Sequence, residues 1–257
     1  SSTTSQVSYV VNEGDTLCFP ITFNDANGDS VFFSAIGNIF SNPPTNPPAT
    51  ISPNPNAGPG TVTSQFCWYL ACNQTGNYMF IVQVPDNGCP PKIANVVYTI
   101  QVLPYNGPSA IFGLSPVCQN TSAPYSVSAS SGVSFSWTVT GGTISSGQGT
   151  NVINVNWGSA GNGSVSLTSY NINGCPAGPI TLNVTVQPIP VINAGPSGTI
   201  CVGTPVSLTS SGGGTYTWSP STYLSNTTLS NPVSTPTATI GYIVTVTSAA
   251  GCTNTDT

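Results

Sequence analysis

Two kinds of side chain in this 257-residue chain have chemistry to offer, six carboxylates and eight cysteines. The acids are Glu13, Asp15, Asp25, Asp29, Asp86 and Asp256. Lys92 is the single cation, and the sequence holds neither His nor Arg. A nucleophilic hydroxyl or thiol needs a base to take its proton, usually an imidazole, and none exists here. Glycoside hydrolysis needs two carboxyls facing one cleft. The acids before residue 87 contain such a pair, but a cation site explains their pattern better. Asp25, Asn27 and Asp29 alternate in a loop after a strand, Glu13 precedes that strand, and Asp86 opens the turn Asp86–Asn87–Gly88. Calcium takes about six to eight hard oxygens, several of them carboxylates. The plainer reading of the same residues is that Asp and Asn form Asx-turns and tight hairpins.

The empty cation inventory removes further classes. Nucleic acid and anionic membrane surfaces both require positive charge, which one lysine cannot supply. We therefore expect no enzyme, no nucleic-acid partner and no required cofactor, with calcium as the candidate ion. The cysteines are even in number, form no C-x-x-C pair and have no His to complete a zinc site. They read as disulfides formed in an oxidising compartment. The competing reading is a set of buried, reduced thiols.

The elements that carry these residues are strands. Only 3% of residues are charged, while 38% are hydrophobic. That combination forms a core, unlike a disordered tail, and leaves solubility to Ser, Thr, Asn and Gly. Short runs alternate between apolar and polar residues, as in TLCFPITF (16–23), YMFIVQV (78–84), VSFSWTV (133–139) and YIVTVTS (242–248). No apolar run approaches the ~18 residues of a membrane helix. Proline-rich connections at 102–110 and 186–198 divide the chain into units 1–105, 106–188 and 189–257. A Pro-rich insertion, 42–60, interrupts the first as a polyproline-like loop.

The second and third units repeat one another. Trp137 lies between Cys118 and Cys175, and Trp218 between Cys201 and Cys252. Cys…Trp…Cys in an all-β unit is the pattern of an Ig-like sandwich. It gives the expected pairs Cys118–Cys175 and Cys201–Cys252. The second cysteine of each pair sits in a Gly-Cys turn, so the bond should tie a domain's entrance to its own last hairpin. The fold class is thus all-β, three tandem antiparallel sandwiches. The third unit reads as lacking its last strand. We expect the protein to continue beyond Thr257, or another chain to donate that strand, with SQVSYVV (5–11) as a possible donor.

NEGDTLCFPITFNDANGDSVFF (12–33) followed by FCWYLACNQTGNYMFIVQVPDNG (66–88) resembles the cadherin-like and PKD-type repeats of large bacterial surface proteins. The stretch 198–220, with its C-x-G-x-x-V-x-L and T-W-S-P, resembles Ig-like or PKD-like repeats of gliding-motility-type adhesins of Bacteroidota. The resemblance implies surface export by the type IX route. It places Glu13, Asp25, Asp29 and Asp86, with Asn27, at one end of the sandwich as calcium ligands. PKD repeats also accompany secreted hydrolases. Within the first unit Cys72 and Cys89 bracket a strand and are paired here, leaving Cys18–Cys67, although four cysteines allow three connectivities. Trp68 reads as core. Thr16 and Ser30 follow Asp in an O-glycosylation-like signal, and N-glycosylation sequons stand at Asn73, Asn120, Asn162, Asn183 and Asn226.

The functional expectation is a non-catalytic, extracellular or cell-surface adhesin, stalk or filament segment. Its partners would be neighbouring repeats and a cell-surface, matrix or glycan ligand. The alternatives are an accessory module of a secreted enzyme, with Tyr105, Tyr125, Tyr216 and Tyr223 as carbohydrate platforms, or a self-assembling fibre subunit.

Overall fold

A computed structural model describes residues 4–24, 34–41, 45, 47–52, 61–85, 93–128 and 131–257. Among these the only helical turn is the 3-10 segment Asn38–Phe40. Everything else regular is strand, and the sheets stack as tandem β-sandwiches. Packing gathers the chain into two compact units. One holds residues 1–107 with the loops 130–134 and 169–178, and the other holds 108–129, 135–168 and 179–257.

The sandwich of the first unit contains β1 (Thr4–Asn12), β2 (Thr16–Asn24), β3 (Ser34–Ile36), β4 (Thr50–Ser52), β5 (Thr61–Tyr69), β6 (Gly76–Pro85) and β7 (Ile93–Leu103). One sheet has the order β1-β7-β6-β3 and the other β2-β5-β4. β1 runs parallel to β7 from Thr4↔Asn95 to Asn12↔Leu103, so the segment read as a possible donor strand is used within its own sheet. Period-two alternation sends every second side chain inward. On β5 this buries Val62, Ser64, Phe66 and Trp68. The core is aromatic. Tyr9, Phe19, Phe66, Phe80 and Tyr98 stack across both sheets with successive ring centroids 4.3, 4.7, 4.9 and 4.8 Å apart. Offset contacts of this kind add roughly 0.5–1.5 kcal/mol each beyond burial.

The next sandwich is built from β8 (Phe112–Gly113), β9 (Val117–Cys118), β10 (Ser122–Ser126), β11 (Ser134–Thr140), β12 (Gly142–Ser146), β13 (Val152–Trp157), β14 (Gly161–Tyr170) and β15 (Pro176–Gln187). Its sheets have the orders β12-β13-β10-β8 and β11-β14-β15-β9. The last sandwich contains β16 (Val206–Ser207), β17 (Thr215–Ser219), β18 (Val233–Ser234), β19 (Ile243–Thr247) and β20 (Thr253–Asp256), ordered β16-β18 and β17-β19-β20.

A buried tryptophan anchors each sandwich, and each indole N–H finds a backbone carbonyl. Trp68 donates to Pro47 O at 3.1 Å, Trp137 to Thr150 O at 2.8 Å and Trp218 to Leu229 O at 2.8 Å. The outer faces use hydroxyl pairs where ordinary sheets use charges. Ser8 and Thr99 are directly opposed, as are Thr22 and Thr63, with oxygens 2.7 and 3.0 Å apart. Such cross-strand pairs contribute a few tenths of a kcal/mol each, about as much as an exposed ion pair. Asp256 accepts from the amides of Ala194 and Thr257, which holds its carboxyl below the usual range.

The last sandwich has the sparsest core. Its buried cluster is Trp218, Val244 and Val246, with Ile192, Ala194, Leu208, Tyr216, Leu224 and Tyr242 packed around it. Trp218→Ala is expected to cost about 3–5 kcal/mol. Hydrogen exchange should show β17 and β19 losing protection while β5 and β6 keep theirs. Unchanged protection in β17 would contradict this account of the core.

Candidate functional site

The chemistry of this chain concentrates in its disulfides, and three of the four expected pairings are wrong. Cys18 and Cys67 are bonded, directly opposed on β2 and β5 with Cα atoms 4.2 Å apart. Cys175, expected with Cys118, is bonded to Cys72 (Cα–Cα 5.2 Å). Cys252, expected with Cys201, is bonded to Cys118 (Cα–Cα 5.6 Å). Cys201 is left free and exposed. Cys89, expected with Cys72, lies outside the described residues.

Strand length explains the correction. Cys175 stands immediately before β15, and Cys118 is paired with Gln187 at its far end. Twelve residues of strand at about 3.3 Å each separate the two by roughly 35–40 Å, whereas a disulfide needs Cα atoms within about 7 Å. Cys72, four residues before the ten-residue β6, is taken by Cys175. The cysteine of a Gly-Cys turn can therefore reach the preceding repeat but not the entrance of its own.

The two Gly-Cys turns among the described residues have one geometry. Asn171 N donates to Cys175 O at 3.0 Å and Gly174 N to Asn171 O at 2.9 Å. In the second turn Ser248 N donates to Cys252 O at 2.8 Å and Gly251 N to Ser248 O at 2.9 Å. A side-chain oxygen, Asn171 Oδ1 or Ser248 Oγ, accepts from the cysteine amide. Gly174 and Gly251 adopt φ of 82° and 83°, which glycine enters at least cost. Cys175 and Cys252 are both buried.

Around Cys72–Cys175, within the first compact unit, the β1–β2 turn supplies a polar socket. Glu13 is 7% exposed. Its Oε2 accepts from the Asn73 amide at 2.7 Å and its Oε1 from the Tyr105 amide at 2.9 Å. Its carbonyl accepts from Asn171 Nδ2 at 3.2 Å, and Asp15 Oδ1 accepts from Asn173 Nδ2 at 2.8 Å. Gly14 between them has φ of 80°, and a Cβ there would meet Cys175 Sγ at 2.6 Å. The N-E-G-D turn is thus a seat for the N-I-N-G-C turn.

Both oxygens of the Glu13 carboxylate accept backbone amides, which gives it a part in the seat that the sequence did not show. The other calcium candidates, Asp25, Asn27, Asp29 and Asp86, lie outside the described residues, as does Ser30. Among the described residues no three His, Cys, Asp or Glu side chains group to hold a metal. Thr16 is exposed at the start of β2. The tyrosines do not form a platform. Tyr125 is fully buried and donates to Leu114 O, and Tyr216 packs on the Trp218 core. Tyr105 is half-buried with its hydroxyl on Ser169 Oγ, and Tyr223, 38% exposed, accepts from Thr237.

No curated protein sequence matches the chain. Among solved structures the chain is similar to cadherin domains 1–4 of protocadherin gamma B7 (10% identity, 98% of this chain and 73% of that chain, TM-score 0.32). It is similar to mouse cadherin-23 domains EC22–24 (12% identity, 99% and 93%, TM-score 0.29) and to the D00–D0 domain of intimin (12% identity, 70% and 94%, TM-score 0.30). At these scores the likenesses carry no argument about function. Residues 103–184 match the model of the PKD-like domain family.

Proposed function

We propose that this chain is a load-bearing, non-catalytic spacer of an extracellular or surface-exposed repeat protein. The observation that carries the reading is the pattern of bonds. Cys72–Cys175 and Cys118–Cys252 each fasten a hairpin turn to the repeat before it, closing loops of 103 and 134 residues. Loops of that length stabilise most in the chain-entropy description, about 4–5 kcal/mol each. The disulfides suit an oxidising compartment outside the cytoplasm. The PKD-like match at 103–184 and the resemblance of 198–220 to Bacteroidota surface repeats support a stalk or adhesin as the parent protein. Surfaces with so few charges would make contacts that salt screens little.

Pulling the chain between its termini tests the proposal. With the bonds intact, Cys72–Cys175 withholds 103 residues from extension, roughly 35 nm of contour. The oxidised chain should therefore reach full extension at least about 35 nm shorter than the reduced chain. Equal extension in both states would overturn the load-bearing reading.

The seat gives a second expectation. Glu13→Ala removes the acceptor of two part-buried amides and should destabilise the oxidised protein by about 1–3 kcal/mol. The Cys72–Cys175 bond should also become several-fold faster to reduce. Thermal unfolding and thiol-release kinetics check both, and a wild-type reduction rate would show that Glu13 does not hold the turn.

A further inference from the structure

We propose that Cys201 is the receiving end of another staple, formed with the cysteine of a Gly-Cys hairpin turn on a further repeat of this type. Its own loop carries the first argument. Cys118, which receives Cys252, is followed two residues on by Asn120 at φ 60°, whose amide donates to Gly158 O at 3.2 Å. Cys201 is followed two residues on by Gly203 at φ 75°, whose amide donates to Pro236 O at 2.9 Å. A threonine then closes each loop back to the cysteine carbonyl, Thr121 through Oγ1 at 2.6 Å and Thr204 through its amide at 3.0 Å. The two loops are one receiving device, and in one of them the structure shows the bond it makes.

The turns carry the second argument. Both Gly-Cys turns among the described residues are already bonded, at Cys72 and Cys118. Neither can serve Cys201, so its partner is a further repeat whose Gly-Cys turn is unpaired. The surroundings carry the third argument. Val117–Cys118 pairs in parallel with Val186–Gln187 of β15, whereas the backbone at Ile200–Cys201 belongs to no strand. Beside it lies an open cleft of about 1040 Å³ lined by Ile200, Cys201, Val206, Leu208, Trp218 and Tyr242. A strand continuing the β20 direction has room there, apolar walls, and the pairing edge that β15 uses one repeat earlier.

The bond-forming step balances without the protein supplying an oxidant. Two thiols lose two protons and two electrons to a small-molecule disulfide such as oxidised glutathione, which becomes two thiols, and the Sγ–Sγ bond forms. The inference rests on the staple pattern alone and stands or falls separately from load bearing.

Extending the full chain tests it. Thr257 stands five residues after Cys252, as Ile180 stands five after Cys175. Residues 181–257 are therefore appended after Thr257, supplying the rest of a strand and one further repeat with its Gly-Cys turn. After oxidation in a glutathione buffer, a non-reducing digest should join Cys201 to the cysteine of the appended turn, and Cys201 should stop reacting with iodoacetamide. A Cys201 that stays reactive, or an appended turn bonded within its own repeat, overturns the proposal. As a measurement independent of folding of the added repeat, a peptide of residues 166–184 activated as a thiopyridyl disulfide is offered to the unextended chain. It should capture Cys201 at least tenfold faster than a scrambled peptide of the same composition. Equal rates, or capture only as Cys201–Cys201 dimers, likewise overturn it.

Discussion

A disulfide joins only cysteines whose Cα atoms approach within about 7 Å, while each residue of β-strand carries the chain about 3.3 Å onward. Those two lengths decide how this protein is held together. A cysteine just before a long strand and one beside the end of that strand cannot meet. The turn cysteines Cys175 and Cys252 consequently bond to the repeat before their own, at Cys72 and Cys118. The seat formed by Glu13, Gly14 and Asp15 follows from the same requirement, because a turn that arrives from the next repeat must be received by a surface with room for it.

Low charge shapes the rest. With 3% charged residues, the sheets have almost no ion pairs available and use opposed hydroxyls on their outer faces. Their interiors rely on large aromatics, the stacked column from Tyr9 to Tyr98 in one sandwich and the carbonyl-tethered tryptophans in each. The last sandwich, with three fully buried apolar residues in its cluster, has the least interior of its own. The Cys118–Cys252 bond supplements it. A scaffold of this composition has no imidazole or guanidinium to move protons or grip phosphate.

The all-β class was legible because alternation is a local signal. TLCFPITF became β2, YMFIVQV fell within β6, and VSFSWTV became β11 with Trp137 inward. The disulfides were misread because Cys…Trp…Cys suggests closure within one unit, a pattern borrowed from sandwiches whose cysteines lie inside strands. ITLNVTV after Cys175 became a strand as its alternation implied, but that Cys118 lies beside the far end of that strand is decided only by the fold. The role of Glu13 was not legible, because its acceptor bonds go to the amides of Asn73 and Tyr105, which are brought to it only by the fold.

The central claim is that the turn cysteines Cys175 and Cys252 are stapled to the repeat before their own rather than within it. It is tested most directly by peptic digestion of the oxidised protein at low pH, where thiols do not exchange, followed by mass spectrometry of the linked fragments. The account predicts fragments joining Cys72 to Cys175 and Cys118 to Cys252. Fragments joining Cys118 to Cys175 and Cys201 to Cys252 would contradict it.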